Sequence, residues 1–139
     1  MSLDLGVEID WSPAFHDFDP MAVVWHGNYL KYLEHARTAL LQKFDYDYPQ
    51  MRDSGYVWPI VDMRLKYVAP IEYGQGLRIR AEIVEYENRL VIDYRIRDAA
   101  SGRVLTKARS VQVAVEIATR EMAYVCPQVL WDKLGVRPQ

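Results

Sequence analysis

The sequence predicts an α+β domain in which a curved five-stranded antiparallel sheet wraps one long central helix. Three observations predict it. Residues 29–44 repeat their apolar positions with a helical period, the period falls to two from residue 57 onward, and turn-forming residues separate the alternating runs.

A short strand is expected at about residues 4–11. In the helix, Leu30, Leu33, Ala36, Leu40, Leu41 and Phe44 make one apolar stripe, and Lys31, Glu34, His35, Thr38 and Gln42 fall opposite. Asn28 stands where an N-cap is wanted, and Pro49 follows the end. Three half-buried strands come next. Val61, Met63, Leu65 and Tyr67 alternate with Asp62, Arg64 and Lys66. Leu77, Ile79, Ala81 and Ile83 alternate with Arg78, Arg80 and Glu82, and Leu90, Ile92, Tyr94 and Ile96 with Asp93, Arg95 and Arg97. Pro70 with Gly74 and Gly76, then Glu87-Asn88, then Ser101-Gly102 supply the connections. A last run, 103–119, changes phase between Val104, Thr106 and Ala108 and the later Val111, Val113, Val115 and Ile117, which predicts a bulge near Arg109. A sheet with one apolar face must cover it, and the helix carries the only large apolar stripe. This arrangement is the hotdog fold. The absence of linkers, repeats and low-complexity tracts makes residues 1–139 one domain.

Composition narrows the function. Lys and Arg number 17 against 19 Asp and Glu, for a net charge of −2 without a basic run, which argues against nucleic acid as the partner. Cys126 is the only cysteine, so neither a disulfide framework nor a cysteine metal cluster is available, as expected of a reducing compartment. No apolar stretch approaches the roughly 20 residues of a membrane span, and the first residues lack signal-peptide order; a cytoplasmic protein is expected.

The segment ahead of the helix, Phe15 to Tyr29, gathers Asp17, Asp19, His16 and His26 among aromatics. A helix N-terminus presents unpaired N–H groups and partial positive charge, which can hold a carbonyl oxygen that turns negative during attack. Asp19, seven residues before His26, could act on the same carbonyl as nucleophile or general base, or it and Asp17 could be solvated turn residues.

The pattern Asp19-Pro20-x-x-Val23-Val24-Trp25-His26-x-Asn28-Tyr29, continuing through Glu34-x-Ala36-Arg37, resembles the signature of 4-hydroxybenzoyl-CoA thioesterases and YbgC-like acyl-CoA thioesterases. Tyr67-x-x-Pro70 with Gly76-Leu77, and Glu116-x-x-Thr119 with Cys126-Pro127, extend the resemblance to residues 8–134. It implies hydrolysis of an acyl- or aroyl-CoA thioester, with Asp19 as the catalytic carboxylate and the backbone N–H at His26 polarising the carbonyl. A cysteine-like thiol has a pKa near ~8.5, so a thiolate leaves readily and no metal or cofactor is expected. The resemblance also implies a homodimer or homotetramer, sheets joined edge to edge, with the site at the subunit boundary.

Two positions depart from the pattern: Phe15 stands where these families have Tyr, and Met21-Ala22 where they have Gly, which suggests a reshaped entrance. The His26 ring serves either catalysis or local packing. Trp25, Asn28, Tyr29, Met21 and Trp58 are candidates for the substrate pocket. His16 and His35 read as surface histidines, Glu34 as a buried ion-pair or cap partner, Asp17 as solvated, Cys126 as inert. Arg64, Arg78, Arg80, Arg95 and Arg97 read as solvated sheet surface or as contacts for coenzyme A phosphates. Two other readings stay open: a thioesterase acting on an acyl carrier protein, and a non-catalytic acyl-thioester binder.

Overall fold

The computed structural model describes residues 4–138. β1 (Gly6–Trp11) opens the chain, and two short 3-10 turns, Phe15–Asp17 and His26–Asn28, lead into the long helix α1 (Tyr29–Lys43). A second helix α2 (Tyr48–Asp53) and a two-residue strand β2 (Tyr56–Val57) precede the main strands β3 (Ile60–Tyr67), β4 (Leu77–Glu85), β5 (Leu90–Asp98) and β6 (Val104–Gln112). β7 (Val115–Glu116) and α3 (Gln128–Leu134) close the chain.

The five strands form one antiparallel sheet, as expected, and the structure gives their order as β1-β4-β5-β6-β3. Its inner face carries Leu77, Ile79, Ala81 and Ile83 of β4 and Leu90, Ile92, Tyr94 and Ile96 of β5, all buried. Against them α1 turns Tyr29, Tyr32, Leu33, Ala36, Leu40 and Leu41. The predicted stripe shifts at its start. Leu30 is 45% exposed, and Tyr29 and Tyr32 take its place in the core, because the first turn packs toward the loop ahead of the helix.

The last strand corrects the expected bulge. No irregularity lies at Arg109; Leu105 is the extra residue on β6 in its pairing with β5, and the run ends at Gln112. Thr106, Ser110 and Gln112 are buried and share the Tyr94 face of the sheet, while Val111 pairs with Val91 on the other face. The inner face tolerates these polar groups because two of them find partners. The Tyr94 hydroxyl and Ser110 Oγ are 2.8 Å apart, and Gln112 Nε2 donates to the Trp58 carbonyl at 2.9 Å.

α1 packs mainly on β1 and β4 and meets β3 through Tyr29, which lies against Tyr67. β3 is an edge strand exposing Ile60, Val61 and Tyr67. The chain's end folds back on the β4–β5 connection, where the Cys126 N–H donates to the Glu87 carbonyl at 2.8 Å and Trp131 Nε1 to the Tyr86 carbonyl at 2.7 Å. Cys126 is buried there, and burial pushes its thiol up to about 12. Among the described residues no helix is long and apolar enough to cross a membrane.

Candidate active site

Residues 18–24 form a small hairpin, with Phe18 bridged to Val24 and the Asp19 N–H donating to the Val23 carbonyl at 2.9 Å. The sequence dictates its shape. Pro20 presets the second position of a turn begun by Asp19, whose carbonyl accepts from Ala22 N–H at 3.0 Å and whose Oδ1 accepts from Met21 N–H at 2.8 Å. Closing a three-residue loop of this kind needs a left-handed residue at its third position, and Ala22 has φ +62°. This chain thus puts an alanine in a conformation that glycine adopts without cost.

The hairpin is pinned to its surroundings on both sides. Val24 N–H donates to the Ile71 carbonyl at 2.8 Å, and Val23 bridges Glu72. Trp25 N–H donates to the Asp17 carbonyl at 3.0 Å, and Asn28 Nδ2 to the same carbonyl at 2.9 Å. Asn28 therefore makes no side-chain cap. It is buried and ties the start of α1 to the loop.

Asp17 is not the solvated residue the sequence suggests. Only 7% exposed, its carboxylate accepts from the Tyr32 hydroxyl at 2.7 Å and from Ala14 N–H at 3.1 Å. Burial alone would raise its pKa, but these two donors, with His16 and Lys31 nearby, outweigh that and hold the carboxyl below its ordinary range. Burial, and then the bond to Asp17, raise the Tyr32 hydroxyl. No local pattern signals this pair, because its members lie fifteen residues apart.

The remaining candidates follow from this frame. Asp19 is half-buried, and its Oδ2 takes no hydrogen bond among the described residues. The 3-10 turn His26–Asn28 runs straight into α1, so the N–H groups of His26 and Gly27 begin the helical stretch with no carbonyl behind them. The His26 ring is exposed beside Trp25 and Tyr67, and its carbonyl accepts from the Tyr67 hydroxyl at 3.0 Å. Trp25 is half exposed and lies over Gly27, where a Cβ would collide with the indole. Met21 is 80% exposed at the hairpin tip.

Tyr29 and Trp58 are both buried, away from the hairpin tip. Tyr29 is core, edge-on to Tyr67 with centroids 4.8 Å apart. Trp58 is buried, donates to the Tyr46 hydroxyl at 3.2 Å, and borders a cleft of about 280 Å³ shared with Arg37, Leu41 and Met51. Phe15 and Phe18, both meeting Tyr73 edge-on, form an aromatic cluster beside Asp19 whose Tyr73 member sequence reasoning passed over. Glu34 pairs with Arg37, but on the exposed side of the helix and not in the buried ion pair expected of it. His16 and His35 are exposed, the latter stacked on Trp11 at 4.2 Å.

The fold and this site together define a hotdog protein with a carboxylate-bearing hairpin set against a helix N-terminus. Comparison with known proteins agrees: residues 13–132 match the Thioesterase-like superfamily, and the chain belongs to that family. It is 32% identical over 103 residues to a protein named as an acyl-CoA thioesterase, YneP, of Bacillus subtilis, covering 73% of this chain and 74% of that one. Among solved structures it resembles a 1,4-dihydroxy-2-naphthoyl-CoA thioesterase from Synechocystis (TM-score 0.82, 21% identity, 94% and 96% of the two chains). It also resembles a 4-hydroxybenzoyl-CoA thioesterase complexed with 4-hydroxybenzoyl-CoA (TM-score 0.77, 21% identity, 93% and 98%).

Proposed function

We propose that this thioester hydrolase cleaves an acyl- or aroyl-CoA thioester to the free acid and coenzyme A, with Asp19 as nucleophile or general base. The observation that carries the reading is the hairpin. Trp25 N–H and Asn28 Nδ2 both donate to the Asp17 carbonyl, which ties the loop carrying Asp19 to the start of the helical stretch, where the N–H groups of His26 and Gly27 take no hydrogen bond among the described residues; this supports the reading. Two such donors suit a thioester oxygen that becomes negative as the carbonyl is attacked. The Asp19 carboxylate either attacks the carbonyl itself or takes a proton from the attacking water, and the thiolate departs without a strong general acid.

The active form is a dimer joined through β3. α1 packs mainly on β1 and β4, β3 is an exposed edge, and Leu30 is open to solvent at the head of the helix. The clefts described on the protomer, which include the one beside Trp58, have neither Asp19 nor His26 in their walls, and a second protomer would supply the missing wall over the site.

Thiol release from a panel of aliphatic and aromatic acyl-CoAs tests the reading. Asp19→Asn keeps the side chain's shape and should lower kcat at least ~10²-fold with little change in KM. His26→Ala retains the backbone N–H and should cost far less. Near wild-type turnover by Asp19→Asn would remove Asp19 from the chemistry and leave thioester binding as the function of the site.

A further inference from the structure

The sheet's outer face holds a feature that hydrolysis of the thioester does not use. The strand registers place Arg80, Arg95, Lys107 and Lys66 directly opposite one another on β4, β5, β6 and β3, so four cations stand in one row across the sheet. At about 4.8 Å between strands, the row is about 14 Å long. Like charges opposite one another destabilise a sheet, so nothing in the fold calls for this row. Beside the row, Arg109 is held by both oxygens of Asp93 at 2.6 and 3.0 Å, and at the β4 end of the row Arg80 itself meets Asp4 and Glu82, so the unpaired charge lies toward β3. Lys66, Arg95, Arg97 and Lys107 engage no carboxylate among the described residues. The surface they share is an open trough of about 650 Å³.

We propose that this row docks an acidic helix of a phosphopantetheine-bearing carrier protein, which delivers its acyl group to the site; the proposal rests on the thioester-hydrolase reading. Carboxylates on successive turns of a helix stand about 5–6 Å apart, close to the spacing of the cations. A nucleotide-sized ligand would call for a walled pocket burying most of its surface, and this face is open. A single-stranded nucleic acid would call for aromatic platforms, and the side chains along the row are Arg and Lys. The row also ends beside the chemistry. Lys66 precedes Tyr67, whose hydroxyl touches the His26 carbonyl, so a partner seated here can pass its flexible arm around the end of β3 to Asp19.

The test loads one acyl group, octanoyl, on coenzyme A and on an acidic phosphopantetheinylated carrier protein, and compares wild type with the pair Arg95→Glu and Lys107→Glu. In the pair the two new carboxylates face each other, but each also faces a cation, Arg80 or Lys66, so the row has fewer like-charge contacts than before and folding should hold; Arg95→Gln with Lys107→Gln, which leaves no like-charge contact in the row, is the milder control. Expected is a loss of at least ~10-fold in kcat/KM and of most salt dependence with the carrier protein, with coenzyme A turnover within ~2-fold. Binding of the unacylated carrier protein at low salt, read by fluorescence anisotropy, should weaken in parallel and does not depend on turnover. An equal loss on both substrates would assign the row to coenzyme A phosphates and overturn the proposal, as would no loss on either. Failure of the hydrolase reading would show separately, as no thiol release from any thioester by the wild type.

Discussion

Replacing Tyr32 with Phe removes one oxygen from the interior and tests the frame that holds the site. The hydroxyl donates at 2.7 Å to the buried Asp17 carboxylate, which also accepts from Ala14 N–H at 3.1 Å and lies 3.7 Å from His16 Nε2. A hydrogen bond to a charged group contributes about 1.5–3 kcal/mol. For a domain of this size each kcal/mol moves Tm by about 3–5 °C, so Tyr32→Phe should melt about 5–15 °C lower. The acid limb of stability should move too. In the wild type the folded Asp17 pKa lies below its unfolded value near ~3.9, so its contribution is fully present above that value and is lost as pH falls through the folded pKa. Without the hydroxyl, the burial that favours the neutral acid is opposed only by the weaker donors, so the loss should begin at higher pH. Thermal melts by circular dichroism between pH 3 and 7, at fixed protomer concentration, measure both effects. A Tm within 1–2 °C of wild type and an unmoved acid limb would refute the reasoning.

Ala22→Gly should stabilise the protein by about 0.5–1 kcal/mol, since relief of the left-handed strain exceeds the extra flexibility of the unfolded glycine; a lower Tm would show that the methyl group packs usefully. Gly27→Ala should swing the Trp25 indole away and shift acyl-length preference in the same direction as Trp25→Ala; an unchanged preference in Gly27→Ala would remove the indole from the acyl pocket. Sedimentation at micromolar concentration should give a dimer or a larger even assembly, and Val61→Pro on the exposed edge should weaken it. A monomeric wild type would sink the claim that a second protomer completes the site.

The parts of the fold legible in the sequence are those where one local rule suffices. β4 and β5 alternate strictly between apolar and charged residues, and their pairing follows. α1 was legible for the same reason, but α2, with six residues, and the β2–β7 pair, with two residues each, are too short to show a period. β6 misled because the phase rule assumes that valines face the core. Here Thr106, Ser110 and Gln112 share the inner face with Ala108, and one of them, Ser110, is satisfied by a tyrosine on the neighbouring strand. At the site, the Asp19 turn could be read from Asp-Pro alone, whereas Asp17 needed its partner on the far side of a fold. Asn28 misled in the opposite sense. Its position suggests a cap, yet the 3-10 turn places it one turn inside a longer helical stretch, where its side chain reaches back to the loop.

The buried thiol at the end of the chain turns the protein into its own stopwatch. Cys126 is held under the returning tail, and ionising it requires a pH about three above that of an ordinary cysteine, so at neutral pH it offers almost no thiolate to an alkylating reagent or to peroxide. Modification has to wait until the tail lifts from the β4–β5 connection. Since the chain has one cysteine, every modified molecule records one such opening, and its rate of appearance times the excursions of the C-terminal segment without any introduced probe.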